Sequence, residues 1–572
     1  MHILGISSLT HSPAAVLLGE KGIIAAMEES KLLRARECEG IPRRAVTFCL
    51  AKGGIQWKDV DSIAIASKPV RTWARQAYFR TQQIVKAPIA SSYYQTKALG
   101  ELARDLNNLR ILGMLDGKLK APVLLFDHAL CHAASAFYAS PFDRALILTL
   151  DEEGDGRCGL FAEGAGNEIR ELRSVRFPNS LGWVYSQVTQ LLGFRHHSEE
   201  HKMQWLSTTG EPVFCGLFLE MLRNGQKLWP HVNPRFFRRG FAGKVAFSDE
   251  FYRRLGTAKP ADVRVDKQLH ANLAASVQQA CSVVVVELLE SLRQQYGAKS
   301  LCLAGGLFLN QLIVADVEKK TAFERIFVQP AAANEGTALG AGWLAWHRVY
   351  KKPRLAPLTH LDWGPSYSNE EVKRVLDNCK ASYHWLDFDE RKIEEAMRLL
   401  RSGKIVAWFQ GAAEFGPRAL GNRSLLASPW GAYVNENLND YVKHRESFRP
   451  FALSVTEEDC ARYFDCSPAG CFMATMGLAR SECREILKGF LLPEGRIRLH
   501  LVRRDANPLL WRLLKRFGES SPAPVLVNTS FNLFGEPLVI TPRDAVRSYL
   551  CSGTDALVIE NFLLSKGLIS PT

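Results

Sequence analysis

Ala145-Leu-Ile-Leu-Thr-Leu-Asp-Glu-Glu-Gly-Asp-Gly156 is a short apolar strand that runs directly into an acidic, glycine-bearing turn. Buried strands with polar ends are how α/β folds set functional groups along one edge of a sheet. The same design stands at the start of the chain, where apolar segments 2–7 and 14–18 flank the polar turn Ser7-Ser-Leu-Thr-His-Ser-Pro13. It returns where a long amphipathic helix near 268–296 precedes Leu301-Cys-Leu-Ala304 and Gly305-Gly306. A hairpin with a polar loop, used twice, predicts two similar halves with nucleotide phosphates between them.

Working outward, helices are expected near 93–112 and 128–139, and a helical run over 180–210 ends in Glu199-Glu-His-Lys-Met-Gln-Trp205. Residues 211–266, rich in Arg, Phe and Gly without periodicity, read as an insertion. The proline-bearing stretch from Lys351 to Pro365 marks a domain boundary. The expected division is therefore 1–352, a linker over 353–366, and a second α/β domain over 367–572 that opens with a helix and Ile405-Val-Ala-Trp-Phe409.

The chain has 572 residues, 47% hydrophobic and 23% charged, the composition of a globular protein with a sizeable core. A formal charge of +13 favours anionic partners, but the arginines are scattered or sit in motifs, which makes a nucleic-acid partner unlike the pattern. Thirteen cysteines, an odd number with no Cys-x-x-Cys pair, read as reduced thiols in a cytoplasmic protein. The start lacks the marks of a signal peptide, and the apolar run Val283-Val-Val-Val286 is too short for a membrane span. No membrane partner is expected.

Several constellations carry chemistry. Asp127-His-Ala-Leu-Cys-His132 places two imidazoles at i,i+4 on one helix face, suited to a metal or equally to a pair of core histidines. A third ligand, ideally a carboxylate, must come from elsewhere. Asp151 and Asp155 at a strand end suit Mg²⁺ or a hydroxyl, although Asp-Gly is also a plain hairpin signal. Gly305, Gly306 and Asn310 suit backbone packing against a nucleotide, or simply a tight turn. Asn334 and Glu335 open an apolar helix as caps or as site residues.

The segment Glu414-Phe-Gly-Pro-Arg-Ala-Leu-Gly-Asn-Arg-Ser424, with Lys443-His-Arg-Glu-Ser-Phe-Arg-Pro-Phe451, concentrates Arg418, Arg423, Lys443, Arg445 and Arg449. Guanidinium groups converging on an anion need fixed geometry, which the Gly416-Pro417 bend and Gly421 supply; a solvated basic loop does not. The reading is a phosphate-bearing substrate pocket. Arg498 and the strand-end loop Asn528-Thr-Ser-Phe-Asn532, with Ser530, add further donors.

Nearly end to end, the chain resembles the ATP-dependent O-carbamoyltransferases of the nodulation-factor and antibiotic-tailoring type. The motifs that carry the resemblance are His11-Ser-Pro-Ala-Ala-Val, Asp127-His-x-x-x-His132, Asp151 to Gly156, Ser180 to Tyr185, Glu200-His-Lys202, Ala304 to Asn310, Glu414 to Ser424, Arg445-Glu-x-x-Arg-Pro-Phe451 and Asn528 to Pro537, in the family's order. The resemblance implies an actin/sugar-kinase-like (ASKHA) N-terminal module, similar to tRNA threonylcarbamoyl transferases, fused to a threonylcarbamoyl-adenylate-synthase-like α/β C-terminal module. It implies that the C-terminal module uses carbamoyl phosphate and ATP to form carbamoyl-adenylate. The N-terminal module would then pass the carbamoyl group to a hydroxyl of a small-molecule or glycan acceptor.

Carried onto this sequence, the resemblance assigns carbamoyl phosphate and nucleotide to Arg418, Lys443, Arg449, Arg498, Asn528 and Ser530. It puts His11 at the transfer site with Lys202 among the substrate-binding residues, and a transition metal, Fe²⁺, on His128 and His132. The family's third metal ligand, an Asp, falls at Asn334 here. Leu492 replaces an expected His, and Gln204-Trp205 a commoner Met-Gly; these departures bear on metal content and acceptor recognition. Rival readings are a tRNA-modifying transferase, a non-catalytic sensor of nucleotide or carbamoyl phosphate, and a sugar kinase.

Overall fold

The computed structural model describes residues 1–7, 9, 11–68, 121–223, 225, 228–237, 247–256, 267–431 and 433–566. The helix expected near 93–112 and parts of the 211–266 insertion lie outside the described residues. The chain forms two compact units: Met1–Glu29 with Glu37–Leu358, and Ser30–Arg36 with Thr359–Thr572.

The N-terminal unit holds two five-stranded sheets. In the first, β1 (Ile3–Ile6), β2 (Ala14–Gly19) and β3 (Gly22–Glu28) form an antiparallel meander, while β4 (Ser62–Ile65) and β5 (Val123–Leu125) extend β1 in parallel. In the second, β6 (Arg144–Gly154), β7 (Arg157–Ala165) and β8 (Glu168–Arg176) form the meander, and β9 (Ser300–Ala304) and β10 (Arg325–Val328) extend β6 in parallel. The spatial orders β3-β2-β1-β4-β5 and β8-β7-β6-β9-β10 are one topology used twice. The two similar halves foreseen from repeated strand-and-turn segments are therefore present, in the strand order of the actin/sugar-kinase fold.

Close backbone approach explains several glycines. A Cβ on Gly340 would meet the Cys131 carbonyl oxygen at 1.8 Å, and one on Gly5 the Ala338 oxygen at 2.2 Å. These contacts let the helix Gly336–Leu344 lie against both the helix His128–Phe137 and the first sheet. The helix Lys267–Tyr296 is long and apolar enough, by length and composition, to cross a bilayer, yet 72% of its apolar window is buried inside the protein, as in a core helix.

The C-terminal unit is built on one mixed ten-stranded sheet of β11 (His384–Trp385), β12 (Val406–Phe409), β13 (Arg423–Ala427), β14 (Ala452–Thr456), β15 (Phe464–Asp465), β16 (Met476–Ala479), β17 (Arg496–Val502), β18 (Val525–Ser530), β19 (Ala556–Ile559) and β20 (Phe562–Ser565). Their order is β11-β20-β19-β12-β13-β18-β14-β17-β16-β15. Alternate residues of the central strands feed separate cores, such as Val525 and Val527 on one face and Leu526 on the other. Helices Asp389–Arg401 and Pro508–Gly518 close the second of these cores. The fold class is thus α/β in both units.

Candidate functional site

In the N-terminal unit the polar strand ends converge. Asp127 caps the His128–Phe137 helix by accepting from the Leu130 amide at 3.2 Å, which fixes the helix start and both histidines. The parallel register Thr149↔Ala304 brings the end of β6 beside Gly305 and Gly306. Gly305, at φ +97°, lies where any Cβ would meet the Leu150 oxygen at 2.2 Å, and a Cβ on Gly306 would stand 3.0 Å from Asp151 Oδ1.

At this junction Asp151 Oδ2 lies 3.2 Å from His128 Nε2 and 3.0 Å from His132 Nε2, and the two nitrogens are 3.1 Å apart. Two imidazoles cannot each donate to one oxygen and also satisfy one another, whereas a shared cation satisfies all three. Adjacent ligands about 2.1 Å from one ion stand about 3 Å apart, so the donor set fits a metal. Both Nδ1 atoms are buried without a hydrogen-bond partner among the described residues, so the polar reach of each ring is directed through Nε2.

Electrostatics follow the geometry. Burial opposes charge on Asp151, but hydrogen bonds from His128 and His132 hold its carboxyl well below the usual range. Burial opposes the His128 cation too, yet the Asp151 hydrogen bond prevails and raises its pKa; for His132 burial prevails and lowers it. His11 is lowered by burial, although Asp151 opposes the shift. Its ring centroid lies 5.9 Å from that of His197, which pairs with Glu152 at 3.2 Å. His197 and Glu152 escaped the sequence reading because no local spacing links them.

The carboxylate that the structure brings to the two histidines is Asp151, which the sequence had placed with the nucleotide, whereas the third ligand was expected at Asn334. The Asn334 amide donates to the His11 carbonyl and so anchors the loop that carries His11. Asp155, also read as a cofactor residue, accepts from the backbone amides of Lys68 (3.0 Å) and His128 (2.9 Å), a structural clamp on the helix start. Asn310 caps the helix Gln311–Lys320 and exchanges hydrogen bonds with Gln278 and Tyr185, so its amide is engaged within the core. Lys202 pairs with Glu199 at 2.9 Å beside the Phe194 ring.

In the C-terminal unit the cations sort into two kinds. Arg423 is fully buried over the Phe409 ring and donates to the carbonyls of Gln410, Gly411, Asn422 and Pro365 at 2.9–3.1 Å. It is a buttress rather than an anion ligand, which corrects its grouping with the converging arginines. Arg445 is likewise committed, to Asn439 Oδ1 at 2.9 Å, the Arg449 carbonyl at 3.2 Å and the Phe451 ring.

Arg418, Arg449, Arg498 and Lys443 form the second kind. Burial, then Arg449, lowers Arg418 to about 10; burial, then Arg449, lowers Arg445 to about 9. Burial, then Arg418, Arg445 and Arg449, pushes Arg498 well below its ordinary value, and burial with Arg445, Arg449 and Arg36 does the same to Lys443. These groups repel one another, with Glu446 their near acidic neighbour, 3.6 Å from Arg449. Lys443 Nζ donates to Ser530 O (2.7 Å) and Asn532 Oδ1 (2.6 Å), while Ser530 Oγ donates to the same Asn532 oxygen. The sequence thus named Ser530 but missed Asn532.

Glu414 organises the arginine loop: fully buried, its Oε1 accepts from the amides of Leu420 and Asn422 at 2.8 Å and of Arg423 at 3.3 Å. Asn528 lies inside the sheet rather than at its rim, donating to Ser454 Oγ at 3.0 Å and His500 Nδ1 at 3.3 Å. His500, held at about 3 by burial, stays neutral.

Residues 2–343 match the family description "Carbamoyltransferase N-terminus" and residues 397–566 match "Carbamoyltransferase C-terminus". The chain belongs to the carbamoyltransferase family. It is a transferase. An uncharacterised protein of Synechocystis sp. is 33% identical over 99% of this chain and 97% of its own length. Nodulation protein NolNO of Sinorhizobium fredii is 31% identical over 99% of this chain and 80% of that protein. A 3'-hydroxymethylcephem-O-carbamoyltransferase of Amycolatopsis lactamdurans is 34% identical over 41% of this chain and 43% of that enzyme.

Proposed function

We propose that the protein is an ATP-dependent O-carbamoyltransferase: carbamoyl phosphate and ATP react in the C-terminal unit to form carbamoyl-adenylate, and the N-terminal unit transfers the carbamoyl group to a hydroxyl of a small metabolite or glycan. The observation that carries this reading is the group of partly buried Arg418, Arg449 and Arg498 with buried Lys443, whose mutual repulsion an anionic ligand would relieve. The N- and C-terminal family matches and the relatives named for nodulation and cephem carbamoylation support the chemistry of transfer.

Atom balance shapes the first half-reaction. Water cleaves carbamoyl phosphate to carbamate and phosphate, a carbamate oxygen attacks the α-phosphorus of ATP, and pyrophosphate departs. Arg418, Arg449 and Arg498 would stabilise charge spreading over the phosphoryl oxygens, and Lys443 is held on target by Ser530 and Asn532. In the second half-reaction the acceptor oxygen attacks the carbamoyl carbon, and AMP leaves with the bonding pair. His11, neutral in its buried setting, is the candidate base for the hydroxyl proton. His128, His132 and Asp151 would hold a divalent transition metal such as Fe²⁺, which when bound supplies Lewis acidity toward a carbonyl oxygen.

The sensor reading drew on the Asn334 substitution, and that support weakens because the donor set of two histidines and a carboxylate is complete without it. The test is incubation with ATP and carbamoyl phosphate without acceptor. Pyrophosphate and carbamoyl-adenylate, detected by mass spectrometry and lost in Arg418→Ala, support the reading. Binding of both ligands without product would overturn it in favour of a sensor.

A further inference from the structure

Residues 30–36 leave β3 as the short helix Glu29–Leu33 and fold as part of the C-terminal unit, although the residues before and after them belong to the N-terminal unit. Nothing in their sequence announces this. Their side chains reach the loop that carries Arg418 and the loop 536–538, whose Glu536 carbonyl holds Asn532.

Lys31, buried, donates from Nζ to the carbonyls of Glu414 (2.8 Å) and Gly416 (2.7 Å). These two carbonyls flank Phe415 and lead into the bend at Gly416, whose φ of +102° directs the chain toward Arg418. A single ammonium bridging them fixes that bend, which a glycine-proline turn leaves otherwise adjustable.

Arg34 holds the second loop. Its Nη1 donates to the carbonyls of Pro537 (3.0 Å) and Leu538 (2.5 Å), and its Nη2 to Glu536 Oε2 (2.8 Å), with Asp544 3.6 Å from Nε. The Glu536 carbonyl in turn accepts from Asn532 Nδ2 at 2.7 Å, and Asn532 Oδ1 accepts from Lys443 at 2.6 Å. Arg34 is thus linked to Lys443 through the Glu536 carboxylate, the backbone carbonyl of that same residue, and Asn532. The planar guanidinium fork serves two carbonyls from Nη1 and a carboxylate from Nη2, whereas a lysine would have to serve all three from a single nitrogen.

We propose that residues 30–36 are a positioning strap for the anion site: Lys31 fixes the bend that aims Arg418, and Arg34, through Glu536 and Asn532, fixes Lys443. The proposal rests on the reading of that site as the place where carbamoyl phosphate binds. Lys31 and Arg34 are positioning residues; both spend their donors on protein acceptors. Because a small displacement of a ligating group costs much of its interaction, loosening the strap weakens anion binding without removing any anion ligand.

The test uses the full-length protein and calorimetric titration with carbamoyl phosphate, comparing wild type with Lys31→Met, Arg34→Ala and the milder Arg34→Lys, and with Arg418→Ala as reference. Positioning predicts a dissociation constant raised about tenfold or more in Lys31→Met and Arg34→Ala at unchanged stoichiometry, with Arg34→Lys between them and wild type. A purely structural role would instead lower the fraction of competent sites at an unchanged dissociation constant, and that result overturns the proposal. Wild-type affinity in a folded Arg34→Lys and Lys31→Met does the same. If Arg418→Ala also binds as tightly as wild type, the site assignment itself fails, and the strap fails with it; loss of binding in Arg418→Ala alone would leave the site standing and remove only the strap.

Discussion

The Nε2 atoms of His128 and His132 stand 3.1 Å apart, and Asp151 Oδ2 lies within 3.2 Å of both. Asp151 completes the set. The arrangement predicts that His132→Ala and Asp151→Asn purify with metal affinity reduced about tenfold or more, as measured by elemental analysis after dialysis against a weak chelator. Asn334→Ala keeps wild-type metal content, because its amide serves the His11 loop. Equal loss in Asn334→Ala would restore it as a ligand.

Gly154 gives an independent check of the same geometry. A Cβ there would stand 2.0 Å from His128 Cδ2, so Gly154→Ala must displace the imidazole. Metal content should fall while the far-UV circular dichroism spectrum stays that of wild type.

Removing a cation from the anion site should trade function for stability. Arg498→Met removes a partly buried cation that Arg418, Arg445 and Arg449 repel. The ligand-free protein should gain about 1–2 kcal/mol, seen as a higher melting temperature, while carbamoyl phosphate no longer raises that temperature. A destabilised ligand-free variant would show that Arg498 serves the fold.

Arg423 should behave in the opposite way. It donates to four backbone carbonyls, and Arg423→Ala removes all four hydrogen bonds together with the packing on Phe409, at a cost of at least about 3 kcal/mol in a denaturant titration. Two arginines five residues apart in one motif are thus separable by whether the unfolding midpoint or the ligand affinity moves.

Asp362 predicts a pH dependence. Burial, then Glu414, raises its carboxyl from 3.8 to about 7. Between those values the folded protein keeps a proton that the unfolded chain releases, so stability falls as pH rises through the window and is lowest above 7. Asp362→Asn should stabilise the protein at pH 8 by a few kcal/mol at most, seen as a higher melting temperature, and leave it unchanged near pH 4. A pH-independent effect would show that the substitution acts through packing alone.

Much of the site was legible where chemistry depends on near neighbours in sequence. The i,i+4 spacing of His128 and His132 puts both rings on one helix face whatever surrounds the helix. The glycines at 305 and 416, both at positive φ, mark bends that side-chain-bearing residues do not favour, and each lies beside a functional group. The apolar strands ending at Asp151 and Gly305 announced a repeated unit, and the shared strand order of the two sheets bears that out.

What the local pattern left open was settled by partners distant in the chain. Asp151 meets the histidines because the helix His128–Phe137 packs against β6, β7 and β9 of the second sheet, a tertiary contact that spacing cannot encode. Arg418 and Arg423 look alike in sequence, yet one faces other cations and the other faces four carbonyls, because β13 carries Arg423 into the core while Arg418 stays in the loop before it. Lys31 and Arg34 belong to the C-terminal unit through acceptors nearly four hundred to five hundred residues away. Residue type and short-range spacing determine which groups are available and which bends the backbone tolerates; the burial and long-range pairing of the folded chain determine whether a charge becomes a ligand, a buttress or a strap.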